Sequence, residues 1–266
     1  MKIKTMILAL LVLTTSYTLA DPDVTVVAPS SAAAEGLDLM AVSELFKESE
    51  NLEAFERSLN DPDNGINNLD LDGNGDVDFI RVVEEVAGDS HVIILQVALD
   101  VDEFQDVATI EVEKTGSDYN MQIHGHELIY GPDYYIVPTH IHIHAWPIIS
   151  WIYRPVYRPY RSTFYFGFYP RWWRPYHPVH VSVYRTRTVH YTTHNTFVIT
   201  KNRRVVPVKR VVYKPRTSNK VNKNLYMKKT TRANGGKVTK KKTVSKTRVK
   251  KGKKKTTKIN KKRNKK

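Results

Sequence analysis

Between Leu69 and Phe79 the chain reads Asp70-Leu71-Asp72-Gly73-Asn74-Gly75-Asp76-Val77-Asp78. Counted from Asp70, oxygen-bearing side chains recur at every second place, and Gly75 stands where a sharp turn would close the loop. A hard cation such as calcium takes about six to eight oxygen ligands, and this spacing wraps oxygens round one point. Asp70, Asp72, Asn74 and Asp78 would offer side-chain oxygens and Asp76 its main-chain carbonyl. The competing reading is an acidic turn without an ion, because Asn, Asp and Gly are also ordinary turn residues. A single site of this kind, without a paired partner, is expected to be structural rather than a sensor, tying the chain before it to the strand after it.

A second set of chemistry-bearing residues is histidine. His124 and His126, then His140, His142 and His144, alternate along extended-looking sequence. On a strand, alternate residues share a face, which would set imidazoles side by side. Such a set suits zinc or copper, although His alternating with Ile is also how a half-buried strand reads. No acid follows Asp133 to orient a ligand or act as a base, which speaks against metal-dependent hydrolysis. The chain has no Gly-x-Ser-x-Gly, no phosphate-cradling glycine loop and no His-Glu-x-x-His. It has no cysteine either, so thiolate chemistry and disulfides are excluded. A non-enzymatic protein is the expectation.

Through Asp70, Asp72, Asn74, Gly75 and apolar Val77 the loop resembles that of the EF-hand family. It departs at Arg81, the place of that family's bidentate Glu, and the residues that follow alternate as a strand does. The stretch is more similar to the Asp-x-Asp-x-Asn-Gly-x-x-Asp loops of integrin-type β-propeller repeats. There the last Asp completes the ion's shell and a strand follows directly. The resemblance covers nine residues and implies a calcium loop, not a propeller. The overall layout is also similar to uncharacterised exported bacterial proteins that join a small acidic domain to an aromatic, Pro-rich basic end.

The elements that must position these residues can be read from periodicity. Leu37, Met40, Ala41, Leu45 and Phe46, then Leu52, Phe55, Glu56 and Leu59, fall at helical spacing and predict one or two short helices ending near Asn60. Beyond the acidic loop the period becomes two. "VDFIRVVEEV", "HVIILQVAL", "FQDVATIEVEK" and "YNMQIHGHELIY" predict four strands joined by tight turns at "AGDS" and "TGSD". The fold class is therefore α+β: a short helical segment packed on an antiparallel β-meander. An extended aromatic, Arg and Pro-rich β-like segment and a disordered Lys-rich tail are expected to follow. Alternation over 179–191 and 195–213 suggests that further strands lie in the extended segment.

Charge divides the chain sharply. All 27 acidic residues lie at or before Asp133 with six Lys and Arg, and the other 36 Lys and Arg follow. Residues 134–200 hold 18 of the 27 aromatics and repeat the unit aromatic-Arg-Pro at Tyr153, Tyr157 and Trp173. Such a mixture can stack on bases or sugars, meet phosphate or carboxylate through Arg, or sit at a membrane–water boundary. The alternative is that these aromatics complete a core with Arg at its rim. The first residues, two Lys, an apolar run and small residues ending at Ala20, read as a secretory signal peptide. The expected division is signal peptide 1–20, linker 21–36, acidic α+β domain 37–138, basic aromatic, His, Arg and Pro-rich segment 139–214, and tail 215–266. The expected protein is exported, to the periplasm, outer envelope or cell exterior. There its basic half would bind anionic polysaccharide, lipopolysaccharide, an anionic lipid surface or extracellular nucleic acid, with self-association between acidic and basic halves as a further outcome. A metal protein built on the His strand and an extracellular nucleic-acid binder are the alternatives.

Overall fold

The structure, a computed structural model, describes residues 33–139, 142–194, 196–205 and 213–225. The expected signal peptide, most of the expected linker, His140 and the tail from 226 onward lie outside them. Two helices come first, α1 (Leu39–Glu48) and α2 (Leu52–Asn60). Asp38 starts α1 by accepting the Met40 N–H at 2.9 Å, and Asn51 starts α2 by accepting that of Ala54 at 2.8 Å; each satisfies a donor that the first turn leaves free. The periodic apolar residues turn inward, and Phe46 meets Phe55 edge to face at 5.4 Å.

Strands β1 (Ile80–Ala87), β2 (Ser90–Ala98), β3 (Phe104–Thr115) and β4 (Asp118–Gly125) form the expected meander. Two shorter strands extend it, β5 (Tyr135–Pro138) and β6 (Phe197–Thr200), giving one six-stranded antiparallel sheet in sequence order. The α+β class is thus observed. Helix α1 lies over β4, β5 and β6, and α2 lies against β1. Ile80, Val82, Ile93, Leu95, Ile110, Val112, Met121 and Ile123 pack beneath the helices in the main core.

The fourth predicted strand stops early. Gly125 ends β4, and His126 starts a short helix, α3 (Glu127–Tyr130). The Tyr130 ring folds back over Gly125 so closely that a Cβ there would stand 2.7 Å from it. Tyr130 is fully enclosed, its hydroxyl donating to the Leu37 carbonyl at 2.8 Å.

The basic half is folded onto this sheet. Helix α4 (Pro147–Ile152) buries Ile148, Ile149 and Ile152 in the main core. Residues 160–162 run antiparallel to β1, the Tyr160 carbonyl accepting the Glu84 N–H and the Val82 carbonyl that of Ser162. Both edges of the acidic half's sheet are therefore covered by basic chain, β1 by this segment and β5 by β6, which removes exposed edge groups.

Residues 179–191, expected as a strand, instead form most of a helix, α5 (Val181–Thr192). Its two buried side chains, Tyr184 and Thr188, stand four apart, as a helix requires. The Tyr184 hydroxyl accepts the Asp38 N–H at 2.7 Å and donates to the Ile66 carbonyl at 2.9 Å. Part of the expected tail is also ordered. Residues 219–225 are helical, and Val221 and Leu225 join the main core. The second face of the sheet, carrying Val83, Val92 and Ile94, is partly covered by Tyr213.

Candidate functional site

The loop 70–78 closes on itself through its own amides. Asp70 accepts the N–H groups of Gly73 at 2.7 Å and Gly75 at 3.2 Å, Asp72 that of Asn74 at 3.1 Å, and Asn74 that of Asp76 at 2.7 Å. Asp78 reaches back to the Leu71 N–H at 2.7 Å. Gly73 and Gly75 take φ of +78° and +94°, a region that glycine enters without strain. Burial pushes the Asp78 carboxyl up to about 7, and the charges of Asp72, Asp70 and Asp76 add to that rise. Four carboxylates thus crowd one turn. Among the described residues, however, no three His, Asp or Glu side chains converge as a metal-holding group.

The back half holds this loop from outside, with partners that spacing does not reveal. The Val77 N–H donates to the Tyr176 carbonyl at 2.8 Å, and the Asn224 amide donates to the Leu71 carbonyl at 2.8 Å. The His177 ring nitrogen lies 2.8 Å from the Gly75 carbonyl and 3.2 Å from an Asp76 carboxylate oxygen.

The histidines are arranged differently from the strand face expected. His124 lies on β4, stacked on Tyr135 at 4.6 Å. His126 is off the strand: its Nδ1 accepts the Leu128 N–H at 3.2 Å while its Nε2 lies 3.2 Å from the Thr217 hydroxyl. Burial lowers the pKa of both rings, so both favour the neutral form. They line one cavity of about 280 Å³ with Asp106, Thr109, Glu127 and Thr217. Both His126 nitrogens are already engaged, so of these two rings only His124 could serve as a ligand. His142 and His144 do not share a strand face either. Pro138 ends β5 and Pro147 begins α4, and between them Ile143–Ala145 make a tight 3-10 turn. The two rings meet edge to face at 5.8 Å.

Buried carboxylates on and around the sheet are the residues whose role sequence reasoning passed over. Glu84 is buried on β1 and accepts from His91 Nδ1 at 2.7 Å, from the Tyr160 N–H at 2.8 Å and from the Tyr157 hydroxyl. Glu56 accepts the Val82 N–H at 2.6 Å and the Ser162 hydroxyl at 3.0 Å, and burial pushes its carboxyl up to about 7. Asp106 accepts from Gln96 at 2.7 Å, from the Arg216 N–H at 2.6 Å and from the Tyr213 hydroxyl. Glu103 accepts the Ser218 hydroxyl at 2.5 Å. Each of these joins the two halves of the chain, chiefly through hydroxyl and amide donors rather than through Lys or Arg.

The cationic side chains are correspondingly left outside. Arg161 pairs with Glu85 at 2.6 Å, Arg203 with Glu111 at 3.5 Å, and Lys220 with Asp100 at 2.7 Å. Arg154, Arg158, Arg171, Arg174, Arg187 and Arg204 are exposed and make no ion pair with a described residue. Arg154 lies over the Trp151 ring at 4.5 Å, and Arg57 over that of Trp172 at 5.3 Å. Many aromatics do complete a core: Phe79 is ringed by Phe164, Tyr169, Trp172 and Trp173 at 5.3–6.3 Å. Comparison of the chain with protein-family models, with curated proteins and with solved structures finds no match. What the residues themselves define is an α+β sheet domain with a wrapped-on basic half and an acidic loop.

Proposed function

We propose that this is an exported, non-enzymatic binding protein of the cell envelope or extracellular matrix. Its folded acidic sheet serves as a scaffold, and its basic half grips an anionic polymer or surface. One observation carries this reading: folding satisfies the buried carboxylates mainly with hydroxyl and amide donors and leaves most described cations of the basic half facing water. Cationic side chains without acidic neighbours attract polyanions in a salt-sensitive way. In the same proposal the loop holds calcium through Asp70, Asp72, Asn74, Asp76 and Asp78. The support is the crowding of three carboxylates around a half-buried Asp78, which a divalent cation relieves. Bound there, calcium supplies charge neutralisation and a tie between α2 and β1.

The test is binding to immobilised heparin at rising salt, with the full chain and with a chain ended at Leu225. The cut falls there because Ser218 and Lys220 bond to Glu103, and Val221 is fully buried. Expected are a steep fall with salt, unchanged melting and weaker retention of the shortened chain. A full chain that passes through heparin in dilute buffer would sink the proposal.

A further inference from the structure

Residues 165–168 form a tight turn that stands out from the basic half. Tyr165 and Phe168 exchange backbone hydrogen bonds at 3.1 and 2.9 Å, and Gly167 supplies the left-handed φ of +74° that closes the turn. The rings it carries face water: Tyr165 is 53 % exposed, Phe166 43 % and Phe168 52 %, with Trp172 nearby at 39 %. Beneath them the base is fixed. Trp173 is 2 % exposed and packs edge-on against Phe79 at 5.3 Å, with Phe164 against the same ring at 5.7 Å. Above this packed base the rings of the turn expose apolar area that no described residue covers.

The way the rings are used narrows what that partner is. Tyr165 and Phe168 stack on one another at 5.1 Å with an interplanar angle of 22°. Trp172 already has the Arg57 guanidinium over its face. Sugars and bases are recognised by free ring faces, and here Tyr165, Phe168 and Trp172 each have one face already covered, while Phe166 offers a purely apolar ring. Exposed Phe beside Tyr and Trp suits the bilayer interface, where aromatics settle among the headgroups. Arg171 and Arg174 lie on either side of Trp172 in the chain, exposed and without a carboxylate partner among the described residues, and offer charge to anionic headgroups. The acidic loop, whose Asp78 and Asp72 act on Tyr169, lies close by, so calcium is kept present in the test. No described helix is long and apolar enough to cross a membrane, so contact through this tip would be peripheral.

We propose that the Tyr165–Phe168 turn with Trp172 inserts into the interface of an anionic lipid bilayer. The inference rests on the reading of the basic half as a polyanion-binding surface and names which surface it meets. The test uses the full chain with vesicles of phosphatidylglycerol and phosphatidylethanolamine in calcium-containing buffer, beside immobilised heparin. Brominated lipid should quench tryptophan emission, and Trp172→Phe should remove that quenching. Phe166→Ser with Phe168→Ser, both at exposed positions, should weaken vesicle binding roughly tenfold while leaving heparin retention and near-ultraviolet circular dichroism unchanged. Equal vesicle binding by wild type and the double variant, without quenching, overturns insertion and leaves the polyanion reading standing. Heparin binding with no vesicle binding assigns the surface to a polymer and overturns it too, as does wild-type self-association that the double variant abolishes. Failure to bind either probe removes the broader reading as well.

Discussion

Glu84 and Asp78 are both drawn away from bulk water near the start of the sheet, yet their surroundings differ. Glu84 is closed by three donors, two of them from more than seventy residues later in the chain. Asp78 has one amide, from Leu71, and three neighbouring carboxylates that raise its pKa further. A carboxylate answered by fixed donors is a joint between segments. One answered by more carboxylates is left with repulsion that a cation, as proposed for the loop, would relieve. The difference separates the parts of the acidic half that hold the fold together from the part for which a ligand is proposed.

The comparison breaks if the joint is not a joint. Glu84→Ala leaves a histidine nitrogen, an amide and a phenol facing a buried gap. Unsatisfied buried partners of a charged group cost about 3–5 kcal/mol. Urea unfolding is expected to show a loss of that size, and a loss below about 1 kcal/mol would show that the basic segment docks by apolar packing alone.

Glu56 sharpens the comparison because it combines both characters: it is satisfied by donors yet strongly desolvated. Its folded pKa of about 7 lies above its ordinary 4.5. Folding therefore favours the protonated form, and stability is fully present below pH 4.5 and lost as pH rises through 7. Relative to Glu56→Gln, wild type is expected to lose at most about 3 kcal/mol over that window. His124 and His126 titrate the opposite way, favouring the fold above their unfolded pKa, but they cancel in the difference. A flat difference between the two proteins from pH 4.5 to 8 contradicts the desolvation assigned to Glu56.

Asp78 follows the same sign, with a smaller effect because it is only half-buried. In chelator at neutral pH, Asp78→Asn should be more stable than wild type by about 2 kcal/mol. Calcium should reverse the order, raising the wild-type melting temperature and leaving the variant's unchanged. Scanning calorimetry with and without calcium reads both. If calcium does not move wild-type melting, the loop is an acidic turn and nothing more.

The legible parts of this molecule are those set by local pattern. Four strands lie close to where alternation places them, and the two helices before Asn60 follow their apolar spacing, because each buries one face against a near neighbour in sequence. Strand β5 escaped because it is four residues long; β6 lies within the alternating stretch 195–213, but its pairing with β5 across some sixty residues leaves no local mark. Helix α5 escaped for another reason. Val, Thr and Tyr alternating with Arg favour a strand, but only Tyr184 and Thr188 need burial, and tertiary contact decides. The turn at Gly75 and the gathering of acidic side chains in the loop were legible, whereas the amides those side chains accept and the outer partners Tyr176, His177 and Asn224 were not, since only the fold brings them there. The histidine set misled because Pro138 and Gly125 end the strands that alternation assumed.

The smallest effect expected tests the other half of the comparison. Arg158, Arg171 and Arg174 are exposed and without carboxylate partners among the described residues. Replacing all three by Gln should change unfolding free energy by less than about 0.5 kcal/mol, as surface substitutions away from special contacts do. The same variant should elute from heparin at lower salt and show a shallower salt dependence, since each removed cation releases fewer counterions. A variant that melts well below wild type would place these arginines among the joints, with Glu84 and Glu56. Cations that matter for binding but not for folding are what distinguish a surface kept for a partner from one recruited to hold the two halves together.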